Sequence, residues 1–218
     1  MTFVKICGIK TRKDLEVVIG ASPDAAGFIV EVPVKTPRKI RRETAASLVA
    51  SVPEEILSVA VLMPESVDEA VSILDTVRPD MAQIHCEMDV DALARIKEET
   101  GVDLIKVIGI DADTDPYKLI SDLCEMDGIV DFILLDTKTA LKSGGTGKVH
   151  DWSISRVITE RSPIPVILAG GLDHLNVADA IKTVEPFGVD TASGVETGGS
   201  KDPEKVKKFV TAAKRFSD

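Results

Sequence analysis

Cys7 closes the segment "VKICGIK", where a short apolar run meets a glycine, and Asp136 closes "DFILLD", where an apolar run ends on a carboxylate. A thiol and a carboxyl group, each at the end of a short strand, are the kind of pair that general acid–base chemistry uses. Cys7 taken alone has two readings: a small buried hydrophobe, or a nucleophile or proton-transfer group whose thiolate is kept available. Lys5, two residues earlier, falls on the same side of an alternating strand, where its charge would favour a thiolate, and Gly8 leaves room beside the sulfur. Asp136 could serve as a loop cap. On a partly desolvated rim it could instead hold its proton near neutral pH and donate it.

Further groups could bind anions. Glycine-rich segments stand at "SGGTG" (Ser143 to Gly147), "AGGL" (Ala169 to Leu172) and "ASGVE" (Ala192 to Glu196). The spacing is neither a Walker A sequence nor a dinucleotide fingerprint, so a sugar phosphate is implied more readily than ATP or a nicotinamide cofactor. Arg38, stiffened by Pro37 within "KTPRKIRR", could grip a second anion such as a carboxylate through paired hydrogen bonds, whereas Lys39, Arg41 and Arg42 read as a solvated basic run. His85 in "QIHC" lines a pocket or is a satisfied core histidine, and with His150 and His174 it makes no recognisable metal set. Asp190 sits within an apolar run and needs partners, which suits hydrogen-bonded orientation of neighbouring groups.

The elements that must position these residues alternate along the chain. Short runs rich in Val and Ile predict strands at Thr2 to Cys7, Ala25 to Val30, Ile56 to Leu62, Met81 to Ile84, Leu104 to Ile108, Val130 to Leu135, Val166 to Leu168 and Val189 to Ala192. Segments of helical periodicity separate them: Arg12 to Ile19, Arg42 to Ala50, Ser66 to Val77, Asp89 to Thr100, Pro116 to Glu125, Trp152 to Glu160, Leu175 to Val184 and Pro203 to Phe216. Asp202 before Pro203 is an N-cap followed by a first-turn proline.

Eight such units in 218 residues are the arithmetic of an α/β protein built as a single (β/α)8 TIM barrel, somewhat shorter than the ~250 residues usual for that fold. Connections into strands are brief, while the long ones, Glu31 to Arg41 and Asp136 to Asp151, leave strands. Polar residues and glycines therefore gather on the carboxyl-end face, where barrel active sites lie. Nothing marks a domain boundary, so residues 1–218 are expected to form one domain, with an open doubly wound sheet as the competing architecture.

Composition narrows the partners. The net charge of −10 gives an acidic surface that offers little to nucleic acid or an anionic membrane, so sites for anions must be local. The three cysteines form no Cys-x-x-Cys pair and suit free thiols in a reducing compartment. No charged leader precedes an apolar stretch and no run approaches the ~20 residues needed to span a bilayer, so a soluble cytoplasmic protein is expected. Oligomeric state is left at monomer or small homodimer.

Several unusual segments occur in one order: "KICGIKT", "GFI" with "TPR" following, "QIH", "ILLDTKT", "GGTGKVHDW", "LAGGL" and "VDTASGVE". Together they resemble phosphoribosylanthranilate isomerase of tryptophan biosynthesis, from the first strand to the last helix. The resemblance implies a (β/α)8 barrel that converts N-(5-phospho-β-D-ribosyl)anthranilate into 1-(2-carboxyphenylamino)-1-deoxy-D-ribulose 5-phosphate. This is an Amadori rearrangement of a small sugar-phosphate substrate, with no metal or organic cofactor. It implies that Cys7 is the general base removing the C2' proton and Asp136 the general acid protonating the ribose ring oxygen. Arg38 would face the anthranilate carboxylate, Gly170, Gly171, Ser193 and Gly194 would hold the phosphate, and His85 and Asp190 would complete the substrate site. Cys86 departs from the family, which usually has glycine after the histidine, and "GFIVEVPVKTPR" is less typical than the other segments.

Two other classes stand beside this one. Another phosphate-binding barrel enzyme, such as indole-3-glycerol phosphate synthase or a pentose-phosphate epimerase, would call for a lysine and glutamate pair or for converging metal ligands. A noncatalytic sugar-phosphate sensor would keep the glycine segments and lose an acid or a base, whereas this chain carries both Cys7 and Asp136.

Overall fold

A computed structural model describes residues 1–137 and 151–215; the expected glycine segment Ser143 to Gly147 and His150 lie outside the described residues. Eight strands form the wall: β1 (Phe3–Ile6), β2 (Ala25–Val30), β3 (Leu57–Leu62), β4 (Met81–Ile84), β5 (Asp103–Ile110), β6 (Phe132–Thr137), β7 (Val166–Leu168) and β8 (Gly188–Thr191). Each is parallel to its neighbours in chain order, and β1 pairs with both β2 and β8, so the ring closes. One helix follows each strand: α1 (Arg12–Ile19), α2 (Arg42–Val49), α3 (Val67–Val77), α4 (Val90–Thr100), α5 (Pro116–Met126), α6 (Trp152–Arg161), α7 (Val177–Val184) and α8 (Pro203–Lys214). The fold is therefore the expected (β/α)8 barrel, with element ends displaced by one or two residues.

Alternation along the strands explains both layers of the core. Val4, Ile6, Ala26, Phe28, Ala60, Leu62, Ile133 and Leu135 point outward and pack with helix residues such as Leu15, Leu74, Leu93 and Phe209. Ala25, Val59, Met81, Ile105, Val107, Leu134, Ile167 and Ala169 point inward and fill the barrel. Phe3, Phe132 and Phe187 close its amino end, with ring centroids 5.2 to 6.3 Å apart. Helix starts are set locally: Thr11, Ser66, Asp89, Asp115 and Asp202 each accept a hydrogen bond from a first-turn backbone N–H. Among the described residues no helix is long and apolar enough to cross a membrane.

Toward the carboxyl end the inward positions change chemistry. β1 runs Phe3, Lys5 and then Cys7 just past its end, β6 runs Phe132, Leu134, Asp136, and β8 runs Gly188, Asp190. Polar groups are thus concentrated in the upper layer of an otherwise apolar barrel.

Two small features were not expected from the sequence. Residues Lys39–Ile40 form a short strand parallel to Ile29 and Val30, extending the sheet along the edge of β2 beyond its register with β1. Glu196–Thr197 and Ser200–Lys201 form an antiparallel hairpin after β8. Its turn is Gly198-Gly199, with φ of +59° and +78°, the left-handed backbone a two-residue hairpin loop requires.

Candidate active site

Cys7 lies immediately beyond β1, and its backbone N–H donates to Thr191 O at 2.8 Å, which ties it to the end of β8. The chain then turns through Gly8 at φ +80°, and the N–H groups of Gly8 and Ile9 both donate to Gly27 O at 3.0 Å. Gly27 also makes room for the thiol, since a Cβ there would stand 2.9 Å from Cys7 Sγ. Burial pushes the thiol pKa up, Lys5 and Lys201 pull it down, and Asp190 pushes it up. Of these, burial is the strongest, so the thiol keeps its proton more firmly than an exposed cysteine does.

Lys5 is wholly buried and donates from Nζ to Asp190 Oδ1 at 2.9 Å, the two residues being register partners across β1 and β8. Burial disfavours the ammonium, yet Asp190 and Cys7 more than offset it, and its pKa is raised. Asp136 lies on β6, three strands from β1 around the ring by way of β8 and β7. Burial, followed by the charge of Asp190, pushes its pKa up to about 6, while an N–H donated by Thr137 at 2.8 Å and the charge of Lys5 restrain the rise. A carboxyl group of raised pKa and a thiol thus stand on separate arcs of one polar rim.

Arg38 precedes the Lys39–Ile40 strand, and its side chain crosses Gly8, where a Cβ would stand 2.5 Å from Arg38 Cδ. Its guanidinium donates from Nε to Glu196 Oε1 at 2.8 Å and from Nη2 to Glu196 Oε2 at 2.7 Å. Lys201, whose side chain is fully buried, donates to Glu196 Oε1 at 3.0 Å and to Ala192 O at 2.8 Å. The expected solvated run is more structured than its composition suggests. Arg42 binds Glu31 through Nε at 2.8 Å and Lys39 Nζ donates to Val32 O at 2.7 Å, because the loop after β2 folds back on its own basic residues; Arg41 remains exposed.

The glycine segments after β7 and β8 meet each other. Gly170 at φ +89° lies so close to β6 that a Cβ would overlap Thr137 Oγ1, and a Cβ on Gly194 would overlap Leu172 O. Thr191 Oγ1 donates to Leu172 O at 2.6 Å, and Asn176 Nδ2 donates to Gly171 O at 3.0 Å. Ser193–Val195 form a single 3-10 turn whose first N–H groups have no acceptor within the turn. Gly170, Gly171, Ser193 and Gly194 therefore share one backbone-lined corner beside the strand that carries Asp136.

His85 follows β4 and is exposed at the carboxyl end of that strand. The protein packed around it, then Lys106 and Lys5, lower its pKa and favour the neutral imidazole. Cys86 Sγ contacts Pro64 O at 3.5 Å, and Lys106 Nζ donates to Cys86 O at 2.7 Å, so this residue belongs to the loop support. The sequence alone does not mark Glu196, Lys201 and Gly27 as site residues. The signal for the first two was present in "ETGGSK", where a Gly-Gly turn makes Glu196 and Lys201 cross-strand partners.

The sequence profile of the family described as N-(5'phosphoribosyl)anthranilate (PRA) isomerase matches residues 4–212. An N-(5'-phosphoribosyl)anthranilate isomerase of Methanosarcina acetivorans is 45% identical, over 96% of this chain and 92% of that protein. The solved structure of the N-(5'-phosphoribosyl)anthranilate isomerase from Pyrococcus furiosus superposes with a TM-score of 0.85 at 32% identity, covering 99% of this chain and 100% of that one. Another solved isomerase, in complex with reduced 1-(o-carboxyphenylamino)-1-deoxyribulose 5-phosphate, gives a TM-score of 0.81 at 30% identity with 99% and 100% coverage.

Proposed function

The chain belongs to the N-(5'-phosphoribosyl)anthranilate isomerase family, and we propose that within this barrel Cys7 and Asp136 carry the proton transfers of the Amadori rearrangement. Asp136 protonates the ribose ring oxygen as the bond from that oxygen to C1' breaks, leaving a Schiff base between C1' and the anthranilate nitrogen. The Cys7 thiolate then removes the proton from C2', and the electron pair released forms a C1'=C2' double bond as the C=N electrons return to the nitrogen, giving an enamine. That species carries a hydroxyl on C2' and becomes the ketone as C1' gains a proton and the C2' hydroxyl gives one up. Nothing enters or leaves, as an isomerisation requires.

The observation that carries this reading is the contrast between the two groups. Asp136 is an acid whose pKa of about 6 leaves part of it protonated near neutrality, and it stands across the polar rim from a thiol flanked by two ammonium groups. Because burial also raises the thiol pKa, the working form combines protonated Asp136 with the minor thiolate fraction, which Lys5 and Lys201 enlarge.

The ends of the substrate are proposed to be held by different chemistry. Gly170, Gly171, Ser193 and Gly194 cradle the phosphate with backbone N–H groups, Arg38 receives the ring carboxylate, and His85 and Asp190 border the ribose between them. Anchoring both ends presents C2' and the ring oxygen to their respective groups. Residues 1–218 act as one barrel domain in this account, and three unpaired thiols, Cys7, Cys86 and Cys124, suit work in a reducing cytoplasm.

A coupled turnover assay with freshly generated phosphoribosylanthranilate, run with a metal chelator present, tests the function. Formation of the aminodeoxyribulose phosphate product by the purified protein is expected. Its absence, with a native circular dichroism spectrum, would refute the proposal.

A further inference from the structure

Arg38, Glu196 and Lys201 form a charged cluster beside Cys7, and within it Glu196 is the one group to which the proposed function gives no part. Two of the guanidinium's five N–H donors, on Nε and Nη2, are taken by the two oxygens of Glu196. Of the remaining three, two on Nη1 and one on Nη2, one from each nitrogen points along the end of the fork, and no described group accepts from Nη1. A guanidinium held along one edge in this way can still form a second paired contact along the other.

We propose that Glu196 is a positioning residue, which fixes Arg38 along its Nε–Nη2 edge so that the Nη1–Nη2 edge is presented to the carboxylate of the substrate's aromatic ring. This rests on the function proposed above and assigns a part to a residue that does not itself touch substrate.

Glu196 is fixed on its other side as well. Lys201 faces it across the Gly198-Gly199 hairpin and donates to Oε1 at 3.0 Å, while Lys201 itself is anchored at 2.8 Å to Ala192 O. The side chains of Arg38, Glu196 and Lys201 are 14%, 9% and 0% exposed, so the cluster has few alternative arrangements. Its charge is informative too. Two cations share one carboxylate, so the cluster carries a net positive charge beside Cys7. The Arg38 stem lies across Gly8, the residue that follows the proposed base.

The test is a kinetic cycle on the full chain with phosphoribosylanthranilate: parent, Glu196→Gln, Arg38→Met and the double variant. Glu196→Gln is expected to raise KM about tenfold or more, as loss of hydrogen bonds to a charged group does, with a much smaller change in kcat. Added to Arg38→Met, it should cost little further, because the group it positions is already gone. Unchanged KM in Glu196→Gln, or losses that multiply in the double variant, would overturn the proposal. If Glu196→Gln does not fold, Glu196→Asp serves instead: it keeps the charge, withdraws the carboxylate by one methylene, and should show the same KM-weighted loss if position is what matters. A parent protein without turnover would refute the proposed function itself, whereas an active parent with an unaffected Glu196→Gln would refute only the positioning role.

Discussion

Lys5 Nζ lies 2.9 Å from Asp190 Oδ1, and this buried pair spans part of the barrel wall between Cys7 and Asp136. The order around the ring is β1 with Cys7 and Lys5, β8 with Asp190, β7, and β6 with Asp136. The cation is on the strand leading to the proposed base and the carboxylate is one strand closer to the proposed acid. Lys5 favours the thiolate, and Asp190 favours the protonated form of Asp136. One ion pair therefore biases the two groups toward the protonation states that the reaction needs.

Lys5→Met should weaken the base. Removing the ammonium raises the Cys7 pKa further and leaves Asp190 buried without its partner, a loss of about 3–5 kcal/mol in stability for a broken buried pair. The high-pH limb of the kcat/KM profile should move to higher pH, and alkylation of Cys7 by iodoacetamide at fixed pH should slow. An unchanged pH profile in a folded Lys5→Met protein would argue against tuning of Cys7.

The pH profile of the parent has a defined sign. With Asp136 pushed up to about 6 and the thiol higher still, the product of protonated acid and thiolate rises up to about pH 6. It then levels, and falls above the thiol pKa. Asp136→Asn should remove the break near pH 6 from whatever activity survives.

Stability follows the same group. A carboxyl with its folded pKa raised to about 6 stabilises least at high pH: the cost develops as pH rises from about 4 through about 6 and persists above. Its full size is at most about 3 kcal/mol. Thermal unfolding should accordingly show a smaller decline between pH 4.5 and 7.5 in Asp136→Asn than in the parent, and equal slopes would contradict the raised pKa.

Gly27→Ala addresses the packing of the base. The new Cβ would lie 2.9 Å from Cys7 Sγ and 3.1 Å from its Cα, so the thiol must shift. A displacement on this scale can cost about 10²-fold in turnover, with a stability loss of about 1–3 kcal/mol. Steady-state kinetics and thermal unfolding should show activity falling far more than fold stability explains.

Much of this architecture is legible in the sequence because its determinants are local. Consecutive apolar residues mark strands buried on both faces, and Ser66, Asp89 and Asp202 announce the helices they cap. Cys7 and Asp136 can be found because each ends such a strand. The pairings that set their electrostatics are another matter: Lys5 and Asp190 are 185 residues apart in the chain, and Arg38 and Glu196 are 158 apart. Their side-chain contacts depend on barrel register and on the Lys39–Ile40 strand, too short for a periodic signal. Gly27 likewise looks like an ordinary strand residue until Cys7 is packed against it.

The most direct measurement of the central claim is turnover of freshly generated phosphoribosylanthranilate by purified Cys7→Ala and Asp136→Asn, with circular dichroism to verify each fold. Each variant should lose about 10²- to 10⁴-fold in kcat, the range in which a general base or acid contributes, and retain the native spectrum. Near-normal turnover by either folded variant would contradict it.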